Sequence, residues 1–388
     1  MKKTLCALLW LLVFPLAVPA QTDSLLHNAE QWPDVQGEHI NAHGGCILYH
    51  SGIYYWYGEN RPARGFTTET GVEVYTSTNL TDWTDRGVAF AVSEEAGSPT
   101  ERGCVIERPK VLYNEGSGRF IMLFHLELKG RGYSAAQVGF AESDSPLGPF
   151  RFVHAQRPNP GIWPANFSAE EIRQAEALNP ADYKEWWTPR WTEAMKQGLL
   201  LAGDRPGGQM SRDMTVFVDD DGKAYHIYAS EENLTLHIAE LTDDYLGYTG
   251  KYVRVAPGGH NEAPTILKRN GVYWMITSGC TGWRPNEARM FRAESIWGPW
   301  TQLPSPCVGP DAATTFHSQG AYIFRVHGQP ERYVFMADRW RPRSLKYSGH
   351  LWLPVKFADD GRPVLELLEE WRPQPQERNG QNFRRQRQ

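Results

Sequence analysis

Met290-Phe-Arg-Ala-Glu-Ser-Ile-Trp-Gly-Pro-Trp300 and Gln137-Val-Gly-Phe-Ala-Glu-Ser-Asp-Ser-Pro-Leu-Gly-Pro-Phe150 carry one pattern twice: Ala-Glu-Ser, a short spacer, then Gly-Pro and an aromatic ring. Val74-Tyr-Thr-Ser-Thr-Asn-Leu-Thr-Asp-Trp83 is a looser third copy. Each copy follows a second recurring pattern: an apolar strand, a turn with Gly or Asn, and a strand dense in Tyr, Phe and Trp. That pattern occurs at 45–58, 109–124, 215–228, 264–276 and 319–336. Turn residues between two β-favouring runs specify a hairpin. Two hairpins per unit make a four-stranded blade, and five units predict an all-β, five-bladed β-propeller. An open β-sandwich does not require units so alike.

Residues 158–208 interrupt this rhythm between the second and third units. Ala169–Ala177 and Glu193–Leu201 read as helices, and Trp186-Trp187-Thr-Pro-Arg-Trp191 is rich in aromatic rings. Such an insertion serves either as a pocket wall or as decoration. At the N-terminus, Lys2 and Lys3 precede the apolar run Leu8–Ala17 and the small residues Val18-Pro19-Ala20. This is the layout of a secretory signal peptide over 1–20, its apolar run too short to span a bilayer. The expectation is a secreted or periplasmic protein with no membrane anchor. Its one catalytic propeller domain covers 21–372, and the Gln-, Arg- and Pro-rich tail at 373–388 is expected to be disordered.

A net charge of −5 leaves no nucleic-acid footprint. Fifteen Trp and 17 Tyr suit stacking on the apolar faces of sugar rings, although strand cores use the same residues. The expected partner is an oligo- or polysaccharide, bound by a monomer. Cys46, Cys104, Cys280 and Cys307 follow the signal segment in no zinc-binding spacing. At most one disulfide is expected, with free buried thiols as the alternative.

A propeller gathers the first strands of all its blades around one funnel. The polar residues before or within those strands are His43, Glu107-Arg108, Asp213, Glu262 and His317-Ser318-Gln319. Three are carboxylates where the strand pattern calls for apolar residues. Buried, convergent carboxylates raise one another's pKa, as a general acid at neutral pH requires. Glycoside hydrolysis uses such an acid, and an inverting enzyme adds an activated water on the opposite face. The structural alternative for each is a carboxylate bonded to a neighbouring strand or to Arg108.

These units resemble glycoside hydrolase family 43. In that family an Asp opens a strand of the form found at Asp213-Met-Thr-Val-Phe-Val-Asp-Asp-Asp-Gly222, and the general acid opens one like Glu262-Ala-Pro-Thr-Ile-Leu-Lys-Arg-Asn-Gly271. The resemblance covers roughly 38–370, apart from the insertion. The family's usual base, an Asp in the first blade, is missing: that stretch reads Ile40-Asn-Ala-His-Gly-Gly45. The exo-β-1,3-galactanase branch also lacks it and resembles this chain at Ala42-His-Gly, Tyr55-Trp-Tyr-Gly-Glu59, Glu107–Val111, Thr281–Asn286, Asp338–Trp340 and Ser318-Gln319.

The resemblance implies an inverting enzyme that releases galactose from β-1,3-galactan of arabinogalactan-type glycans. Glu262 is then the acid, and Asp213 tunes and orients it. Gln319 holds the nucleophilic water, through an imidic-acid tautomer, and Glu107 binds sugar hydroxyls or is itself the base. Glu59, Tyr133, Trp283, His43 and Asn286 are the expected substrate-binding side chains, and Cys46 and Cys280 are unusual residues beside them. No cofactor is expected, although some relatives hold Ca²⁺ in the central channel. The alternatives are an α-L-arabinofuranosidase or β-xylosidase of the same family, and a carbohydrate-binding propeller without turnover.

Overall fold

The computed structural model describes residues 25–29 and 31–374. The expected signal peptide, and all but the first two residues of the expected tail, lie outside the described residues. The five hairpins form the first two strands of five antiparallel blades. Blade 1 comprises His43–His50, Ile53–Glu59, Gly71–Ser77 and Thr84–Ala91. Blade 2 comprises Val105–Asn114, Arg119–Glu127, Gln137–Ser143 and Arg151–Gln156. Blade 3 comprises Met214–Val218, Ala224–Ser230, Thr235–Leu241 and Tyr248–Val255. Blade 4 comprises Asn261–Arg269, Val272–Gly279, Arg289–Ala293 and Thr301–Leu303. Blade 5 comprises Gln319–Arg325, Tyr333–Arg339, Gly349–Phe357 and Pro363–Glu366, with Cys307–Val308 added in parallel at its outer edge.

The first strand of each blade is innermost and packs against the first strands on either side, so blade 5 closes on blade 1. Aromatic packing holds that closure. Trp352 of blade 5 is fully buried, its ring 4.8 Å from Trp56 and 5.4 Å from Trp32. The two ends of the described chain reinforce it: Leu26–His27 pairs with Glu370–Trp371, and the Trp371 indole donates to the Trp352 carbonyl at 2.7 Å.

Because strands alternate in direction, the start of each innermost strand shares one end of the ring with the connection between strands two and three. The insertion leaves Gln156 and returns at Met214 on that same end. Its first helix, α1 (Ala169–Ala177), has the expected bounds and a Ser168–Glu171 capping box. The second expected helix is corrected. Thr188 caps and Pro189 opens α2 (Pro189–Gln197), a turn earlier than Glu193. Gly198 then ends it at φ 109°, and α3 (Leu199–Asp204) starts anew. The four expected cysteines are all free thiols.

Truncating Trp352 to Ala removes the ring at the centre of the closure. A loss of about 3–5 kcal/mol in urea unfolding is expected; a loss under about 1 kcal/mol places the closure elsewhere.

Candidate active site

A bulge aims the candidate residues. In blades 1, 2 and 4 the pairing of the innermost strand slips after His43, Glu107 and Glu262. The residue following each is left-handed: Gly44 at φ 56°, Arg108 at φ 53° and Ala263 at φ 51°. An extra residue bends the strand and re-aims its side chains, which lifts Glu107 and Glu262 into the funnel. Only glycine fits at position 44, where a Cβ would stand 2.5 Å from Glu59 Oε1.

The funnel holds a cavity of about 390 Å³. The innermost strands and the residues just before them supply Glu107, Arg108, Asp213, Glu262 and Gln319 to its wall. Each connection between strands two and three supplies one more: Arg61, Tyr133, Asn233, Trp283 and Trp340, from blades 1 to 5 in turn.

Three expected substrate-binding residues do not reach this wall. His43 is fully buried; its Nδ1 lies 3.1 Å from Asp338 Oδ1 and its ring stacks on His350. Burial holds that imidazole neutral despite Asp338. Glu59 lies buried behind Arg61, and burial together with the Glu107 charge pushes its carboxyl up to about 8. Asn286 accepts from Gly279 N–H and donates to Gly279 O and Thr281 Oγ1, so it shapes the loop that presents Trp283. Of the two unusual cysteines, Cys46 is buried and accepts from Val111 N–H, whereas Cys280 meets Glu262.

The two wall glutamates sit in opposite surroundings. Glu262 Oε1 accepts from Asn233 Nδ2 at 2.9 Å and from the Cys280 thiol at 3.0 Å. Burial and the nearby Asp213 charge push its carboxyl up to about 7. Glu107 Oε1 accepts from Arg61 and from the Tyr133 hydroxyl, both at 2.9 Å, and its Oε2 faces His125 Nδ1 at 3.1 Å. Burial opposes the Glu107 charge, but Arg61 and His125 hold its carboxyl well below the usual range. His125 is itself held up at about 9, against burial, between Glu107 and Glu127. Between these groups stands Asp213, whose Oδ2 accepts from Arg108 at 2.9 Å and from Ala263 N–H at 3.1 Å.

Gln319 is fixed by its neighbours. Its Oε1 accepts from Arg108 at 2.7 Å and from the Trp340 indole at 2.9 Å, while Nε2 donates to Ser278 Oγ at 2.9 Å. Guanidinium and indole are donors only. A hydrogen on Oε1 therefore has no acceptor, which disfavours the imidic-acid form expected from the resemblance.

The channel below the cavity does not fit a calcium ion. Two carbonyls there already have donors: Gly320 O accepts from Arg108 at 2.8 Å and Gly44 O from Lys110 Nζ at 2.6 Å. One ligand atom each of Glu107, His125 and Asp213 do lie within 4.8 Å of one another. Arg61 and Arg108 already neutralise those two carboxylates. Hard divalent cations need carboxylate and carbonyl oxygens free of such competition.

Arg61, His125, Arg212, Asn233 and Trp340 were missed as wall residues by sequence reasoning. Arg61, His125, Asn233 and Trp340 lie at the end of a second strand or just beyond it, a position shared across blades and readable once the hairpins are aligned, whereas Arg212 stands just before Asp213.

A concave, aromatic-rimmed pocket with one carboxyl raised towards neutrality and another held ionised defines a glycoside hydrolase. The profile of glycosyl hydrolases family 43 matches residues 177–351. A family 43 β-1,3-galactosidase solved with galactodeoxynojirimycin superposes with a TM-score of 0.88 and 56% identity, covering 89% of this chain and 100% of that one. A variant of the exo-β-1,3-galactanase from Phanerochaete chrysosporium, solved with β-1,3-galactotriose, gives 0.70 and 29%, covering 90% and 68%. A curated β-D-galactofuranosidase of Aspergillus niger is 30% identical over 131 residues, 33% of this chain and 37% of its own length. The chain thus spans little more than a third of that curated relative. This protein belongs to glycoside hydrolase family 43.

Cys280→Ala removes a donor from the ionised form of Glu262, so the carboxyl is expected to titrate above about 7. ¹³C NMR of the glutamate carboxyls should show an upward shift; a fall would mean that the thiol does not donate to the anion.

Proposed function

We propose that the protein is a secreted, inverting exo-enzyme that releases galactose from the β-1,3-galactan of arabinogalactan-type glycans. The observation that carries this reading is the Glu262 carboxyl, held up at about 7 by burial and Asp213 on the wall of a cavity that Arg108 crosses between blades 2 and 5. A cavity of about 390 Å³ crossed by a buried guanidinium admits a chain end rather than a chain middle, which favours exo action. The bound groups in the two galactan-active relatives, galactodeoxynojirimycin and β-1,3-galactotriose, support galactose as the unit released. Secretion rests on the signal-like segment at residues 1–20.

In this mechanism protonated Glu262 donates to the glycosidic oxygen as the bond to the anomeric carbon breaks. Asp213, held by Arg108, keeps that proton on Glu262 until transfer and fixes the backbone beside it through Ala263 N–H. Gln319 orients the attacking water with its remaining amide hydrogen. The water's proton passes to a carboxylate, because a neutral amide flanked by two donors is a poor base. Glu107 is that carboxylate, and its ionised state also suits it to hold sugar hydroxyls. Its low basicity makes the proton transfer late, after attack on the oxocarbenium-like carbon is under way.

Wild-type protein on β-1,3-galactan should release galactose whose first-formed anomer, read by NMR, is inverted; a retained anomer overturns the mechanism. Glu262→Gln should lower turnover at least about 10³-fold with the melting temperature preserved. Since Glu262 must be protonated, kcat/KM should fall as pH rises through about 7. Glu107→Gln should cost more than Gln319→Ala; the reverse order assigns the water to the amide.

A further inference from the structure

We propose that Trp186 and Trp187 form a stacking platform for galactan units beyond the one that departs with the Glu262 proton. This inference rests on the reading of the cavity as the glycosidic site. Both side chains are exposed, Trp186 by 45% and Trp187 by 61%. They lean on one buried anchor: the Trp191 ring lies 4.7 Å from Trp186, nearly parallel, and 5.4 Å from Trp187. Thr188 and Pro189 at the start of α2 fix the turn that presents them.

The backbone supplies a second, independent observation. Trp187 is left-handed, at φ 70°. For a bulky residue that conformation is unfavourable and persists only where the surroundings impose it. Such outliers cluster at ligand clamps.

Position supplies the occupant. The Trp187 ring is 5.5 Å from the ring of His260, and His260 precedes Glu262 by two residues. His260 N–H also donates to Leu234 O, next to Asn233, whose amide bonds Glu262, so the indole borders the acid's side of the cavity. The general acid marks the side on which the leaving group departs, so the Trp pair borders the exit path of the polymer rather than the pocket of the released sugar. The cavity, at about 390 Å³, is near the lower end of ligand pockets and cannot house a chain. The remainder of a polymeric substrate must cross the rim, and flat exposed indoles are suited to the apolar faces of its sugars.

The test compares galactosyl-β-1,3-galactose, too short to reach the platform, with long β-1,3-galactan. Trp187→Ala should lower kcat/KM about tenfold on the long substrate and less than about twofold on the disaccharide, with an unchanged melting temperature. Trp187→Phe should restore most of the loss. Equal losses on both substrates, or none on either, overturn the platform. Electrophoresis through gels containing β-1,3-galactan, arabinan or xylan reads binding without turnover. Weaker retardation of Trp187→Ala than of wild type supports the platform. Equal retardation, or none for wild type in any gel, overturns it. Failure of wild type to release galactose while this difference persists overturns the substrate assignment instead.

Discussion

One guanidinium ties the funnel together. Arg108 leaves the bulge of blade 2, donates to Asp213 on blade 3, and reaches Gln319 and the Gly320 carbonyl on blade 5. Its plane also lies over the Trp340 ring, 5.9 Å from the centroid. A lysine offers a point charge rather than a planar fork and cannot hold these partners together. Breaking a buried pair of this kind costs about 3–5 kcal/mol because the remaining charge stays buried. Glu262 depends on the same contact: Arg108 holds Asp213 in place, and the Asp213 charge raises the Glu262 carboxyl.

Burial alone does not sort the two wall glutamates, since both are removed from water. Neighbours sort them. Glu107 has a guanidinium, an imidazolium and a phenol directed at it, and it stays ionised. Glu262 has an amide, a thiol and a nearby carboxylate, and it holds its proton to about pH 7. Arg61 also touches Glu59 at 2.9 Å. One cation cannot satisfy two buried anions, so Glu59, the less accessible of the pair, takes the neutral form.

Legibility followed periodicity. The blade count, the hairpins and the wall residues at innermost-strand starts were readable because they recur in every unit, and Glu107, Asp213, Glu262 and Gln319 all fall there. Residues set by conformation rather than by period were not readable. Nothing in Ala42-His43-Gly44 distinguishes a side chain turned to Asp338 from one turned to the cavity; the left-handed Gly44 and its bulge decide it. The same holds for the second insertion helix, where a single residue, Gly198, splits the expected helix over Glu193–Leu201 into α2 and α3. Arg61 escaped notice because its role emerges only once Glu107 of the next blade stands beside it.

Blade 1 shows how far one missing carboxylate has reorganised its surroundings. At the bulge position filled by Glu107 and Glu262 in blades 2 and 4, it carries His43, and Asp338 receives His43, His350 and the Gly44 N–H. The neighbouring connection sends a cation, Arg61, into the cavity instead. Placing an aspartate at 43 would set two carboxylates against each other in a buried space, where His350 already bonds Asp338. The cation that could offset them is committed to Glu59 and Glu107. An aspartate at 43 would therefore stand beside Asp338 rather than in the cavity. In the proposed mechanism the water chemistry opposite Glu262 therefore falls to the blade 2 and blade 5 side of the funnel, where Glu107 and Gln319 stand.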